Sequence, residues 1–155
     1  MMPYLRQFLA QHNASQPVQF GRRFHFLGAA DTNSTYYSGG AGIILSRETL
    51  RRLGSRAEVD SAIWAGPSTG PEDFLLSRTL MNLGIYPVDT RDSKGSHIFL
   101  TLGLDPERIF TRSSHPDLWY WQFSKDALEG PACCSTRWLT THYIKAPQVR
   151  GLYGS

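Results

Sequence analysis

Two groups of residues in this chain have the types and spacing that chemistry needs. The first is Glu72 with Asp73, adjacent carboxylates that follow a Gly/Pro/Ser-rich run from Ala65 to Pro71 and head an apolar-periodic segment. The dipole of a helix favours carboxylates in its first turn, so simple capping accounts for the pair. A carboxylate held on a rigid helix beside an open cleft is also what a general base requires, and both readings stand. The second group is Tyr37-Ser38-Gly39-Gly40-Ala41-Gly42, which runs straight into Ile43-Ile44-Leu45. Glycines so closely spaced let backbone approach a ligand; a Ser-Gly-Gly turn ahead of a buried segment explains the same letters. A nucleotide-phosphate loop fits poorly. The Walker pattern ends in Gly-Lys-Ser/Thr, and the dinucleotide fingerprint needs a different glycine spacing after a strand.

Three further places could line a site. Arg91 and Asp92 end the stretch Tyr86-Pro87-Val88-Asp89-Thr90-Arg91-Asp92, where they either pair with each other on the surface or point into the site. Trp119-Tyr120-Trp121 suits stacking on the apolar face of a sugar ring. Aromatic runs also build cores, and extended backbone would put Trp119 and Trp121 on one face with Tyr120 on the other, so both uses can hold together. His142 could be a metal ligand, a base or an ordinary hydrogen-bonded histidine, and one His makes no metal site.

The elements that must position these residues read as an α/β domain without repeats or low-complexity linkers. Leu5, Phe8 and Leu9 recur at helical spacing between Tyr4 and Gln11, and Val18-Gln19-Phe20 reads as a short strand before the basic Gly21-Arg22-Arg23-Phe24. Asp31 to Thr35 is a loop. Ile43-Ile44-Leu45 is expected to be buried, with Ser46 capping a helix from Arg47 to Leu53 that Gly54 stops. A second helix runs from Glu72 to Leu83 and closes at Gly84. Residues Tyr86 to Asp92 look like a strand leaving the core, and Thr140 to Ile144 alternates as a sheet edge does.

Composition narrows the classes. The chain has 155 residues, 41% of them hydrophobic, enough for one core. A net charge of +3 with dispersed arginines makes no basic stripe, which argues against a nucleic-acid partner. No apolar run approaches the roughly 20 residues that span a bilayer, and Met1-Met2-Pro3 begins no signal peptide. Two glycosylation sequons, Asn13-Ala14-Ser15 and Asn33-Ser34-Thr35, lean towards a lumenal setting. Cys133 and Cys134 are adjacent, a spacing at which disulfide geometry disfavours mutual pairing, so any partners are expected outside this chain.

Taken in order, Ser38-Gly39-Gly40-Ala41-Gly42, the Glu72-Asp73 helix start, Asp89-Thr90-Arg91-Asp92, Trp119-Tyr120-Trp121, Gly130-Pro131-Ala132-Cys133-Cys134 and His142-Tyr143 resemble the core 1 β1,3-galactosyltransferases. Their wider relatives are the Fringe-like glycosyltransferases. The resemblance covers about Tyr4 to Tyr143. It implies a GT-A-type α/β fold and inverting transfer of galactose from UDP-galactose to O3 of N-acetylgalactosamine on Ser or Thr, with Mn²⁺ as cofactor. By position, Asp73 would be the base, with Glu72 its neighbour in the acceptor pocket, and His142 the C-terminal metal ligand. Trp119 and Trp121 would face the acceptor, with Tyr37, Ser38, Gly39, Gly40, Arg91, Asp92 and Tyr120 lining the substrate cleft.

The resemblance also implies what is absent. The family's Asp-x-Asp metal motif lies just before the segment matching Tyr4-Leu5-Arg6-Gln7-Phe8-Leu9, and no Asp-x-Asp stands in this chain. Family cysteines near the Glu-Asp helix have no counterpart either. The chain therefore resembles the C-terminal, acceptor-side half of one catalytic domain, residues 1–155, inactive alone and without the Golgi type II membrane anchor of complete members. A partner, possible homodimer included, would cover apolar surface left by the missing half. Two other readings fit the same motifs: a non-catalytic, chaperone-like relative that binds a client, and a sugar-binding relative that uses Trp119 and Trp121 without transfer chemistry.

Overall fold

A computed structural model of the chain describes residues 2–26, 35–59, 70–103, 109–124 and 126–145. Most of the two loops expected at Ala65 to Pro71 and Asp31 to Thr35, and Asn33 of the second sequon, lie outside these residues. Helix α1 (Met2–Leu9) is followed by strands β1 (Gln19–His25) and β2 (Thr35–Leu45), then helices α2 (Arg47–Val59) and α3 (Glu72–Asn82). Strand β3 (Phe99–Leu100), a short helix α4 (Tyr120–Phe123), a 3₁₀ turn over Gly130–Cys133 and strand β4 (Thr140–Thr141) complete the order. β1 and β2 pair antiparallel, and β3 and β4 pair parallel. This mixture of helices and small sheets is compatible with an α/β class. No helix among the described residues is long and apolar enough to cross a membrane.

β1 is longer than expected and takes in the basic segment. Arg22 is only 1% exposed and donates through Nη2 to the Tyr120 hydroxyl and to Ser124 Oγ at 2.7 Å. Arg23 reaches Asp126 at 3.0 Å and Asp89 at 3.4 Å. A cation that finds acceptors can enter a sheet, which is why the strand runs on through the basic segment.

The glycine cluster is not a turn. It lies inside β2, where Gly21 faces Ile43 while the next residue, Arg22, faces Ser38, so residues 39–42 are looped out of the ladder as an enlarged bulge. Gly42 takes φ +84°, open to glycine at little cost. Ala41, within the bulge, is 1% exposed and joins Phe20, Ile98, Phe99 and Leu139 in a core that α1 covers with Leu5 and Phe8. Ile43, Ile44 and Leu45 are half-buried rather than buried.

Ser46 caps α2 as expected, its Oγ accepting from the Thr49 N–H at 3.1 Å. Gly54 does not end that helix, which continues to Val59. The residue avoids the positive φ that terminates helices, and interior glycine costs only about 1 kcal/mol. Gly84, at φ +75°, does close α3, with its N–H on the Met81 carbonyl at 2.9 Å.

Residues 86–92 form no strand. Pro87 has no N–H to give a ladder, and the Val88 N–H donates at 2.7 Å to the Tyr37 hydroxyl, which itself lies 2.8 Å from the Val88 carbonyl. A buried side chain thus does what a neighbouring strand would have done. Cys133 and Cys134 also depart from expectation, being joined to each other. The backbone passes there from the 3₁₀ turn to extended conformation, at a point 1% and 5% exposed, and the two sulfurs meet.

Candidate functional site

α3 starts beside the β2 bulge, and this contact brings the carboxylates and the glycines together. Asp73 Oδ2 accepts the Gly39 N–H at 2.9 Å, and Oδ1 accepts the N–H of Phe74 at 2.8 Å. Phe74 N–H is one of the unpaired donors of the first helical turn, so Asp73 serves the helix and the bulge at once. A Cβ on Gly39 would lie 3.1 Å from Asp73 Cβ and 3.5 Å from Glu72 Oε1. The bulge can approach the two acids so closely only because that atom is missing.

The next glycine receives His142. A Cβ on Gly40 would overlap the imidazole at Cε1 and Nδ1 and come within 2.9 Å of Cγ. β4 carries the ring there: Thr140 Oγ donates to the Ala41 carbonyl inside the bulge, and the His142 N–H donates to Leu100 at 3.0 Å. Only Thr140–Thr141 of the expected sheet edge is strand. Tyr143 stacks on His142, ring centroids 3.9 Å apart and planes at 23°. Consecutive Cα atoms are about 3.8 Å apart, so the acids and the imidazole meet neighbouring points of one short segment.

An aromatic array continues from Phe74. Tyr36 packs edge-on against it at 6.1 Å and stacks on Phe26 at 5.2 Å, and Phe24 links Tyr36 to Trp119 by edge contacts of 6.0 and 6.1 Å. Trp119 ends the array 40% exposed. The tripeptide is helical, not extended, so Trp119 and Trp121 lie roughly 200° apart around the axis. Trp121 lies under the Arg112 guanidinium at 4.7 Å and donates Nε1–H to the His115 carbonyl at 2.8 Å. Tyr120 is 1% exposed against Arg22 and is a core residue. The helical turn follows from that anchor, which burial of Tyr120 rewards more than an extended run would.

Other expected site residues are elsewhere. Tyr37 is fully buried and ties Val88 to the hairpin, so it faces the core rather than a cleft. Ser38 is also buried, opposite Arg22 in the ladder. Arg91 and Asp92 do not pair with each other. Arg91 pairs with Asp89, whose carboxyl it holds below the usual range, and Asp92 caps its own turn by accepting from Lys94 and Ser96 N–H, each at 2.9 Å. Both line a different cavity of about 990 Å³ between α1 and residues 131–137, whose walls include none of Gly39, Gly40, Asp73 or His142.

Tyr36 and Phe74 enter the site from the structure alone, and Tyr143, given no site role in the sequence beyond its place in the His142-Tyr143 motif, joins them. Strand alternation around Tyr37 would have flagged Tyr36 had β2 been recognised through the glycines. Burial, reinforced by the Asp73 carboxylate, pushes the Tyr36 phenol up to about 12. Unfolded phenols ionise near 10. The folded state's advantage is therefore complete below pH 10 and is lost as pH rises from there towards 12. Alkaline unfolding followed by circular dichroism should fall through that window, and Tyr36→Phe should flatten the fall. An unchanged profile would show that Tyr36 is not held off ionisation.

The manganese that the resemblance implies would find His142, but among the described residues no three His, Cys, Asp or Glu side chains gather to hold a metal. One imidazole does not make a site for an ion that prefers several hard oxygen ligands, so these residues do not fit a resident Mn²⁺ by themselves.

No family model matches the chain. It is 32% identical to glycoprotein-N-acetylgalactosamine 3-beta-galactosyltransferase 1 of Xenopus laevis over 147 residues, 93% of this chain and 38% of that protein. To the beta-1,3-glucosyltransferase of Mus musculus it is 31% identical over 81 residues, 52% of this chain and 15% of the other. The chain thus spans well under half the length of either relative. Similarity running along nearly all of the chain agrees with the ordered motifs, and it marks the chain as a relative of these glycosyltransferases.

Proposed function

We propose that this chain supplies the acceptor side of an inverting β1,3-galactosyltransferase with a GT-A-type fold, working in the Golgi lumen. The donor is UDP-galactose and the acceptor is N-acetylgalactosamine on Ser or Thr. Asp73 takes the proton from the acceptor O3 hydroxyl as that oxygen attacks the anomeric carbon of galactose and the bond to UDP breaks. One bond forms, one breaks, and the proton ends on the carboxylate. Glu72 lines the acceptor pocket, and Trp119 offers its exposed ring to the sugar. Manganese would draw a single ligand, His142, from these residues and would supply charge neutralisation for the departing diphosphate.

The observation supporting this reading is the Asp73 carboxylate held against the glycine bulge by the Gly39 N–H at 2.9 Å, on the first turn of a helix. A base must be oriented before it can be effective, and two backbone donors orient this one. The test is calorimetric titration of a GalNAc-threonine peptide into the chain, with a transfer assay using UDP-galactose and Mn²⁺. Binding without transfer is expected. Turnover by the chain alone would refute the account of missing metal ligands, and no glycopeptide binding would remove the acceptor pocket. Binding that persists in a transfer-inactive swap of this chain into the Xenopus relative would favour a sugar-binding protein.

A further inference from the structure

Tyr143 has no part in the chemistry above, yet its backbone and its exposure both need explaining. Among the described residues it is the one non-glycine at positive φ, 54°. A bulky L-residue takes the left-handed region only where its surroundings impose it, and such residues cluster at ligand sites. The geometric result here is definite. The left-handed turn lays the phenol over His142, and the imidazole lies in turn on the Gly40 backbone, where no Cβ would fit. One face of Tyr143 is therefore backed by a ring that is itself wedged against main chain. The residue is nonetheless 60% exposed.

An exposed ring with a rigid backing, next to a glycine floor whose neighbouring residue holds a carboxylate, has the attributes of a carbohydrate platform. The apolar face of a pyranose presents C–H groups that pack on an aromatic face, and a ring immobilised beforehand loses little entropy on binding. Tyr37 and Tyr120, which serve the core, bury their rings instead. We propose that Tyr143 is a stacking platform for the sugar of an O-glycosylated Ser/Thr peptide. The inference rests on the acceptor pocket proposed above and adds a binding residue to it.

The experiment titrates the GalNAc-threonine peptide into the full chain carrying Tyr143→Phe, Tyr143→Gly or Tyr143→Asn, with melting midpoints measured alongside. Phe keeps the ring and should bind within about twofold of wild type. Gly and Asn accept positive φ but lack the ring, so affinity should fall about tenfold while the midpoint holds or rises. Wild-type affinity in the Gly and Asn variants overturns the proposal. So does a loss confined to whichever variant has lost its fold, with the other binding normally. If wild type itself fails to bind, the acceptor pocket falls and this platform with it; if wild type binds and the ringless variants bind equally, only the platform falls.

Discussion

Asp73→Asn is expected to lower galactosyl transfer by roughly 10²- to 10⁴-fold, the usual contribution of a positioned general base. The measurement is an initial rate with saturating UDP-galactose, made on the Xenopus galactosyltransferase with this chain in place of its matching stretch. The amide has nearly the carboxylate's shape, so UDP binding should be unchanged. It cannot accept a proton usefully, and it brings a second difficulty. Asp73 accepts from Gly39 N–H through one oxygen and from Phe74 N–H through the other. Asparagine has only one acceptor oxygen, so its NH₂ must face one of these donors. Losing one such hydrogen bond to a carboxylate costs about 1.5–3 kcal/mol. Denaturant unfolding would register that loss separately from the rate. A rate within a few-fold of the parent would remove Asp73 as the base and leave it as a helix and bulge anchor.

The second large effect is expected at Gly40. Gly40→Ala puts a methyl group into the space of the His142 imidazole. The ring cannot simply rotate away, because Tyr143 covers it and Thr140 ties β4 to the Ala41 carbonyl. Either the bulge or the β3–β4 pair has to shift, at a cost of about 1–3 kcal/mol typical of overpacking. Urea unfolding measures this. Nuclear magnetic resonance of the His142 ring protons, whose shifts depend on the Tyr143 ring, reports whether the stack survives. Wild-type stability with an unmoved His142 signal would mean that the imidazole does not occupy this position. Gly39→Ala is the milder comparison, since the new Cβ meets Asp73 Cβ at 3.1 Å, where a small displacement gives relief.

Local signals in the chain read well where a local cause is sufficient. The start of α3 at Glu72-Asp73, its closure at Gly84 and the Ser46 cap each depend on residues within one helical turn. They read poorly where distant partners override local preference. The Gly39-Gly40-Ala41-Gly42 run has every mark of a turn, and pairing with β1 on both sides draws it into a strand. Trp119-Tyr120-Trp121 alternates like a strand, and burial of Tyr120 against Arg22 makes it helical. Gly54 looks like a stop and is carried through. For 86–92, the acceptor that replaces a ladder is a hydroxyl 51 residues away. Gly54 apart, where the cost of carrying a glycine is simply small, the deciding interaction is a long-range hydrogen bond or a buried side chain, whose free energy exceeds the few tenths to about 1 kcal/mol that separate local propensities.

The candidate site divides along the same line. The sequence by itself determined the chemical groups: paired acids at a helix start, a glycine cluster, an aromatic tripeptide, a lone histidine, and the ordered motifs of a glycosyltransferase family. It could do so because residue type, capping and motif order are written in neighbouring letters. Tertiary structure alone decided which of those groups meet. Gly39 reaches Asp73 across 34 residues, and the bulge reaches β4 across 99. It excluded Tyr37, Tyr120, Arg91 and Asp92 from the meeting and admitted Tyr36 and Tyr143. The reason is physical: contacts over such separations depend on how α3 and β4 pack on opposite neighbours of one bulge. Packing depends on the volume of the whole core, down to the two hydrogen atoms that stand where Gly39 and Gly40 have no Cβ.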